Sequence, residues 1–102
     1  MNKYQLTMGL NDKDLKLPKY DQATAYKITS DCIARYTQYY TIIPCRGYYT
    51  HEDGTPVFED SFRIEFAGLT KMAVLTIAAA LKEVMNQESI MFEEVQTTVD
   101  FI

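Results

Sequence analysis

The sequence predicts an α+β fold, a ferredoxin-like βαββαβ unit with a four-stranded antiparallel sheet and two helices on one face. Three observations carry that prediction. A strict alternation of apolar and polar residues opens the chain, two β-rich runs flank an Asp-Gly pair in the middle, and two stretches with helical spacing separate the strand-like segments.

Tyr4, Leu6, Met8 and Leu10 alternate with Lys3, Gln5, Thr7 and Gly9, which is the period of a half-buried strand. Gly9 to Tyr20 reads as a polar loop, and Asp21 as the N-cap of a helix running to about Tyr36. On that helix Ala25, Ile28, Cys32 and Tyr36 share a face, leaving Lys27, Ser30, Asp31 and Arg35 to water. Tyr40–Thr50 and Thr55–Phe66 are rich in β-branched and aromatic residues, and His51-Glu52-Asp53-Gly54 joins them as a hairpin turn. Within the second run Phe58, Phe62, Ile64 and Phe66 point to the core, and Val57, Glu59, Ser61, Arg63 and Glu65 point away. Gly68 ends the strand and Thr70 caps the second helix, whose apolar face is Val74, Ile77, Ala78, Leu81, Val84 and Met85, with Met72 and Met85 assigned to the core. Asn86-Gln87-Glu88 stops it. Ser89 to Ile102 resumes strand alternation through Met91, Val95, Val99 and Phe101, with Ile90 and Phe92 out of phase, as in a bulged strand or one covered on both faces.

At 102 residues, residues 1–102 read as a single domain. The chain is 47% hydrophobic and 24% charged without low-complexity tracts, the composition of a globular protein. Its formal charge of −4, with ten scattered basic residues, opposes generic nucleic-acid binding, which needs a basic face to neutralise phosphates. A small anionic ligand needs only two or three local arginines. Cys32 and Cys45 lack metal or redox spacing and read as buried, reduced thiols. The amino terminus carries no signal-peptide pattern, and the longest apolar stretch, Met72–Leu81, is too short to span a bilayer, so the expected location is the cytoplasm, with no membrane partner.

The segment from Tyr39 to Phe66 holds four tyrosines, two arginines and the only histidine. Tyrosine and arginine supply flat stacking surface and directional donors at low entropic cost. The expected ligand residues are Tyr40, Tyr48 and Tyr49 for stacking, Arg46 and Arg63 for charge, and His51 and Glu65 beside them. Two readings stay open: a pocket for a nucleotide-like ligand, or cross-strand packing and a homo-oligomer interface. Asn11, Asp12 and Asp14 resemble a calcium loop in composition only, since Lys16 stands where such a loop needs glycine. Neither a metal nor a cofactor is expected. His51, Glu52 and Asp53 are expected at an exposed turn that does not exclude water, and Cys45 has no base beside it in the sequence, so the chain is expected to be a non-enzyme.

Met8-Gly9-Leu10-Asn11-Asp12, Tyr40-Thr41-Ile42, Gly47-Tyr48-Tyr49, Phe62-Arg63-Ile64-Glu65 and Asn86-Gln87-Glu88-Ser89-Ile90 together resemble small phage and bacterial proteins of this fold. The resemblance spans most of the chain. It implies a phage-encoded anti-defence protein in the host cytoplasm, sequestering a nucleotide-derived immune signal or alternatively docked as an inhibitor on a host defence enzyme, while the residues themselves also leave open a structural oligomer without a small ligand.

Overall fold

The computed structural model describes residues 2–50 and 52–102. Its elements run β1 (Lys3–Gly9), α1 (Gln22–Ala34), β2 (Thr41–Thr50), β3 (Pro56–Ala67), α2 (Lys71–Val84) and β4 (Met91–Val95). The strands form one antiparallel sheet in the order β2-β3-β1-β4. The ferredoxin-like arrangement follows.

Alternation in β1 decides which face the helices cover. Tyr4, Leu6 and Met8 are buried, as are Phe62, Ile64 and Phe66 of β3, and they form one cluster with Ala25, Cys32 and Ile33 of α1 and Val74, Ile77 and Leu81 of α2. Removing each Val, Leu, Ile, Phe or Met side chain of this cluster from water contributes roughly 1.5–3 kcal/mol. Both helices start at caps of the expected type. Asp21 accepts from the Thr24 amide at 2.7 Å and Thr70 from the Ala73 amide at 3.1 Å. Lys71 then pairs with Glu94 at 2.8 Å, tying the start of α2 to β4.

Several sequence expectations are corrected. The α1 core face consists of Ala25, Thr29, Cys32 and Ile33; Tyr36 lies beyond the helix end and is exposed. Met85 is buried, whereas Met72 is 72% exposed and Val84 is also outside the core, because the apolar stripe of α2 is narrower than its composition. Cys32 is buried, and Cys45 is half-buried on the helix-free face of the sheet. The last strand stops at Val95 without a bulge. Phe92, opposite Leu6, is its core-facing member and stacks on Tyr4 at 5.7 Å, while Met91 opposite Thr7 and Val95 opposite Lys3 face away from the helices.

The β2–β3 hairpin is longer than the rest of the sheet. Its pairing continues to Thr50 opposite Pro56, but β1 accompanies β3 only from Ala67 back to Ser61. An arm therefore projects past the core, and the molecule measures 46 × 26 × 23 Å. Phe58 belongs to this arm, so it is 65% exposed and not in the core. It packs instead on Tyr48, with ring centroids 4.9 Å apart.

Candidate functional site

Strand alternation disperses the Tyr/Arg cluster. Tyr48 and Arg46 point to the helix side of the arm, where Arg46 pairs with Asp60 at 3.2 Å and the Tyr48 hydroxyl receives a contact from Thr50 at 3.4 Å. Tyr49 points to the opposite face. Tyr40 precedes β2 and is half-buried, its hydroxyl 2.6 Å from that of Ser30. Arg63 and Glu65 lie on the helix-free face, opposite Thr7 and Gln5 of β1. Glu65 pairs with Lys3 at 3.2 Å and accepts from Gln5 at 3.2 Å. His51 lies outside the described residues. The six expected ligand residues that are described thus occupy different faces and ends of the sheet.

A different cavity brings chemistry together, a cleft of ≈ 680 Å³ where the arm, the end of β1 and the β4 approach meet. Of the expected residues only Tyr49 lines it. Its floor is Glu59, which lies between two positions without side chains. Gly47 is its direct partner on β2, and on the β1 side a Cβ at Gly9 would strike the Glu59 carboxylate. The carboxylate therefore lies flat across the strand end, where the Asn11 amide donates to its Oε2 at 2.8 Å.

The wall beyond Gly9 is the 10–18 loop, held by a polar clasp from the end of α2. Buried Asp12 accepts from the amides of Asp14 and Leu15 at 2.9 and 3.0 Å and from Asn86 Nδ2 at 3.0 Å. The Asn86 bond, followed by the Leu15 and Asp14 amides, holds the Asp12 carboxyl below its ordinary value. The second Asn86 amide hydrogen reaches Asp14 Oδ2 at 2.9 Å. Gln87 Nε2 donates to the Asn11 and Met85 carbonyls at 2.9 and 3.2 Å, and the Lys13 amide to the Asn86 carbonyl at 3.0 Å. Asn86 reaches this position in the left-handed region, at φ 48°, where asparagine is better tolerated than most residues. The clasp thus fixes the loop carrying Lys13 and Lys16, which line the cleft together with Glu88 and Ser89.

The sequence reading missed Glu59, Gly9 and the Asn86-Gln87 clasp. Two glycines on strands, each near an acidic partner, were the available signal, since glycine inside a strand marks a close approach. Among the described residues no group of three or more His, Cys, Asp or Glu side chains could hold a metal ion, and no helix is long and apolar enough to cross a membrane.

No protein-family model matches the chain, and no curated protein sequence matches it. Among solved structures it is similar to a phage SAM lyase in complex with S-methyl-5'-thioadenosine, at 25% identity and a TM-score of 0.67, over 93% of this chain and 80% of that one. A phage SAM lyase in the apo state is 29% identical, with a TM-score of 0.62, over 92% and 78% of the two chains. The periplasmic divalent cation tolerance protein CutA from Archaeoglobus fulgidus has a TM-score of 0.62 at 10% identity, covering 98% of this chain and 86% of its own, a likeness of fold alone. The phage resemblance read from the sequence is thereby supported at the level of small phage proteins of this fold. The expectation of a non-enzyme is corrected, because the chain is similar along nearly its whole length to an enzyme.

Proposed function

We propose that this chain is a lyase acting on S-adenosylmethionine, with the Gly9–Glu59 cleft as its active site. The observation that carries the reading is the 25–29% identity to phage SAM lyase structures across more than nine-tenths of the chain. S-methyl-5'-thioadenosine keeps the methyl and adenosyl groups of S-adenosylmethionine. Forming it by lysis breaks the bond from sulfur to the amino-acid chain, with the bonding pair passing to the sulfonium. The departing carbon is satisfied from within the same fragment, by a new bond to its own carboxylate oxygen or by formation of a double bond with the neighbouring proton passing to water, so no second organic substrate is needed.

The cleft suits that task. Glu59 offers one carboxylate oxygen held by the Asn11 amide and a second for a positive centre of the substrate. Tyr49 supplies a flat wall beside it for the adenosyl group. The sulfonium charge disappears as the bond breaks, so Glu59 acts more in binding and orientation than in lowering the chemical barrier. The anti-defence role expected from the sequence then takes the form of destroying a nucleoside metabolite that host enzymes use, in place of holding a signal. Tyr40, Arg46, Tyr48, Arg63 and Glu65 lie outside this cleft and are proposed for the rest of the surface, including contacts between copies.

Incubating the purified protein with S-adenosylmethionine and following the products by liquid chromatography and mass spectrometry tests the reading. S-methyl-5'-thioadenosine should accumulate, and Glu59→Gln should lower kcat/KM roughly 10- to 100-fold through loss of a charge-assisted contact. Intact S-adenosylmethionine after prolonged incubation with folded wild-type protein would sink it.

A further inference from the structure

We infer that Lys13 and Lys16 hold the α-carboxylate of the substrate's amino-acid chain and so make the cleft select zwitterionic sulfonium nucleosides over their decarboxylated counterparts. The inference rests on the lyase reading above. Its own ground is the distribution of charge in the cleft. Lys13, Lys16, Glu59 and Glu88 all line it. Ion pairs among the described residues form elsewhere, at Lys3–Glu65, Lys27–Asp31, Arg46–Asp60 and Lys71–Glu94, and none involves these four side chains.

Charges of both signs that share a cavity wall and do not neutralise one another are matched to a ligand that carries both. S-adenosylmethionine is such a ligand, with a sulfonium and an ammonium against a single carboxylate. Its cations face Glu59 and Glu88 and its carboxylate faces the loop. The two lysines are also held by their backbones. The Lys13 amide is tied to the Asn86 carbonyl at 3.0 Å and the Lys16 amide to the Asp12 carbonyl at 2.8 Å. Lys16 occupies the left-handed region at φ 62°, a conformation that costs a lysine free energy and is retained here by the clasp around Asp12.

Calorimetric titration with sinefungin, an uncleavable analogue bearing an ammonium in place of the sulfonium, tests the assignment. Its decarboxylated form and S-methyl-5'-thioadenosine serve as comparisons. Wild-type protein should bind sinefungin about tenfold more tightly than the decarboxylated form, the size of one charge-assisted contact. The Lys13→Gln/Lys16→Gln double variant should bring that ratio to about one while its affinity for S-methyl-5'-thioadenosine is unchanged. A ratio near one in the wild type, or one unaltered in the double variant, overturns the inference and leaves the lyase reading standing if S-adenosylmethionine is still cleaved. Absence of both binding and cleavage in the wild type overturns the two together.

Discussion

Glu59 owes its place to what its neighbours lack. A methyl group at Gly9 would meet only the far end of a flexible side chain, so Gly9→Ala displaces the Glu59 carboxylate without disturbing the strand. Thermal melting of this variant should shift by no more than about 1 kcal/mol equivalent, since alanine suits a strand as well as glycine does. Formation of S-methyl-5'-thioadenosine should fall about tenfold or more over the same comparison, and an unchanged rate would show that the orientation of Glu59 is irrelevant. Asp12 gives a pH signature. Its carboxyl titrates below its ordinary value in the folded chain because the charged form accepts the Asn86, Leu15 and Asp14 bonds. The stability this contributes is fully present above the unfolded value of about 3.9 and is lost as pH falls through the lower, folded value. Denaturant titrations from neutral pH down to about pH 3 should show that loss in the wild type and a flatter profile in Asp12→Asn.

The two ends of β3 show that an element does not have one environment. Phe58 and Phe66 share a side of the strand, yet Phe66 is fully buried and Phe58 is 65% exposed. Phe66→Ala should destabilise the fold by about 3–5 kcal/mol through lost transfer energy and an unfilled cavity. Phe58→Ala should cost about 1 kcal/mol, the size of an isolated aromatic pair with Tyr48. Equal losses in urea denaturation would mean that the arm is packed by something beyond its own chain. The alternation that located β3 was legible because its period is two throughout. The boundary between core and arm was not, because it depends on where β1 stops, and β1 is more than fifty residues away in sequence.

For the whole molecule, the helices pack on one face of the sheet, and among the described residues neither covers the other face. It presents Ile43 at 39% and Met91 at 53% exposure alongside Arg63 and Glu65. The sequence reading expects a homo-oligomer, and this face, mixing apolar and charged groups, is where a second copy is predicted to dock. Light scattering should return a multiple of the 11.8 kDa chain mass. Ile43→Glu/Met91→Glu should reduce it to a single chain, and a monomeric wild type would remove this face from consideration. The chain's negative charge and scattered lysines still oppose a generic nucleic-acid partner at this scale.

The amino-acid sequence by itself determined the order of elements, the caps at Asp21 and Thr70 and the core faces of β1 and the inner part of β3, because these rest on local periodicity and local hydrogen bonding. The candidate site was decided only by tertiary structure. Gly9 and Asn11, Glu59, and Asn86 come from three separate segments, and no local pattern marks these segments as neighbours. The tyrosines and arginines that stood out by composition were parted by the same alternation that made their strands recognisable, since successive residues of a strand face opposite ways. Glu59, one acidic residue among fourteen, acquired a distinct environment from the space left by two glycines and from one backbone amide.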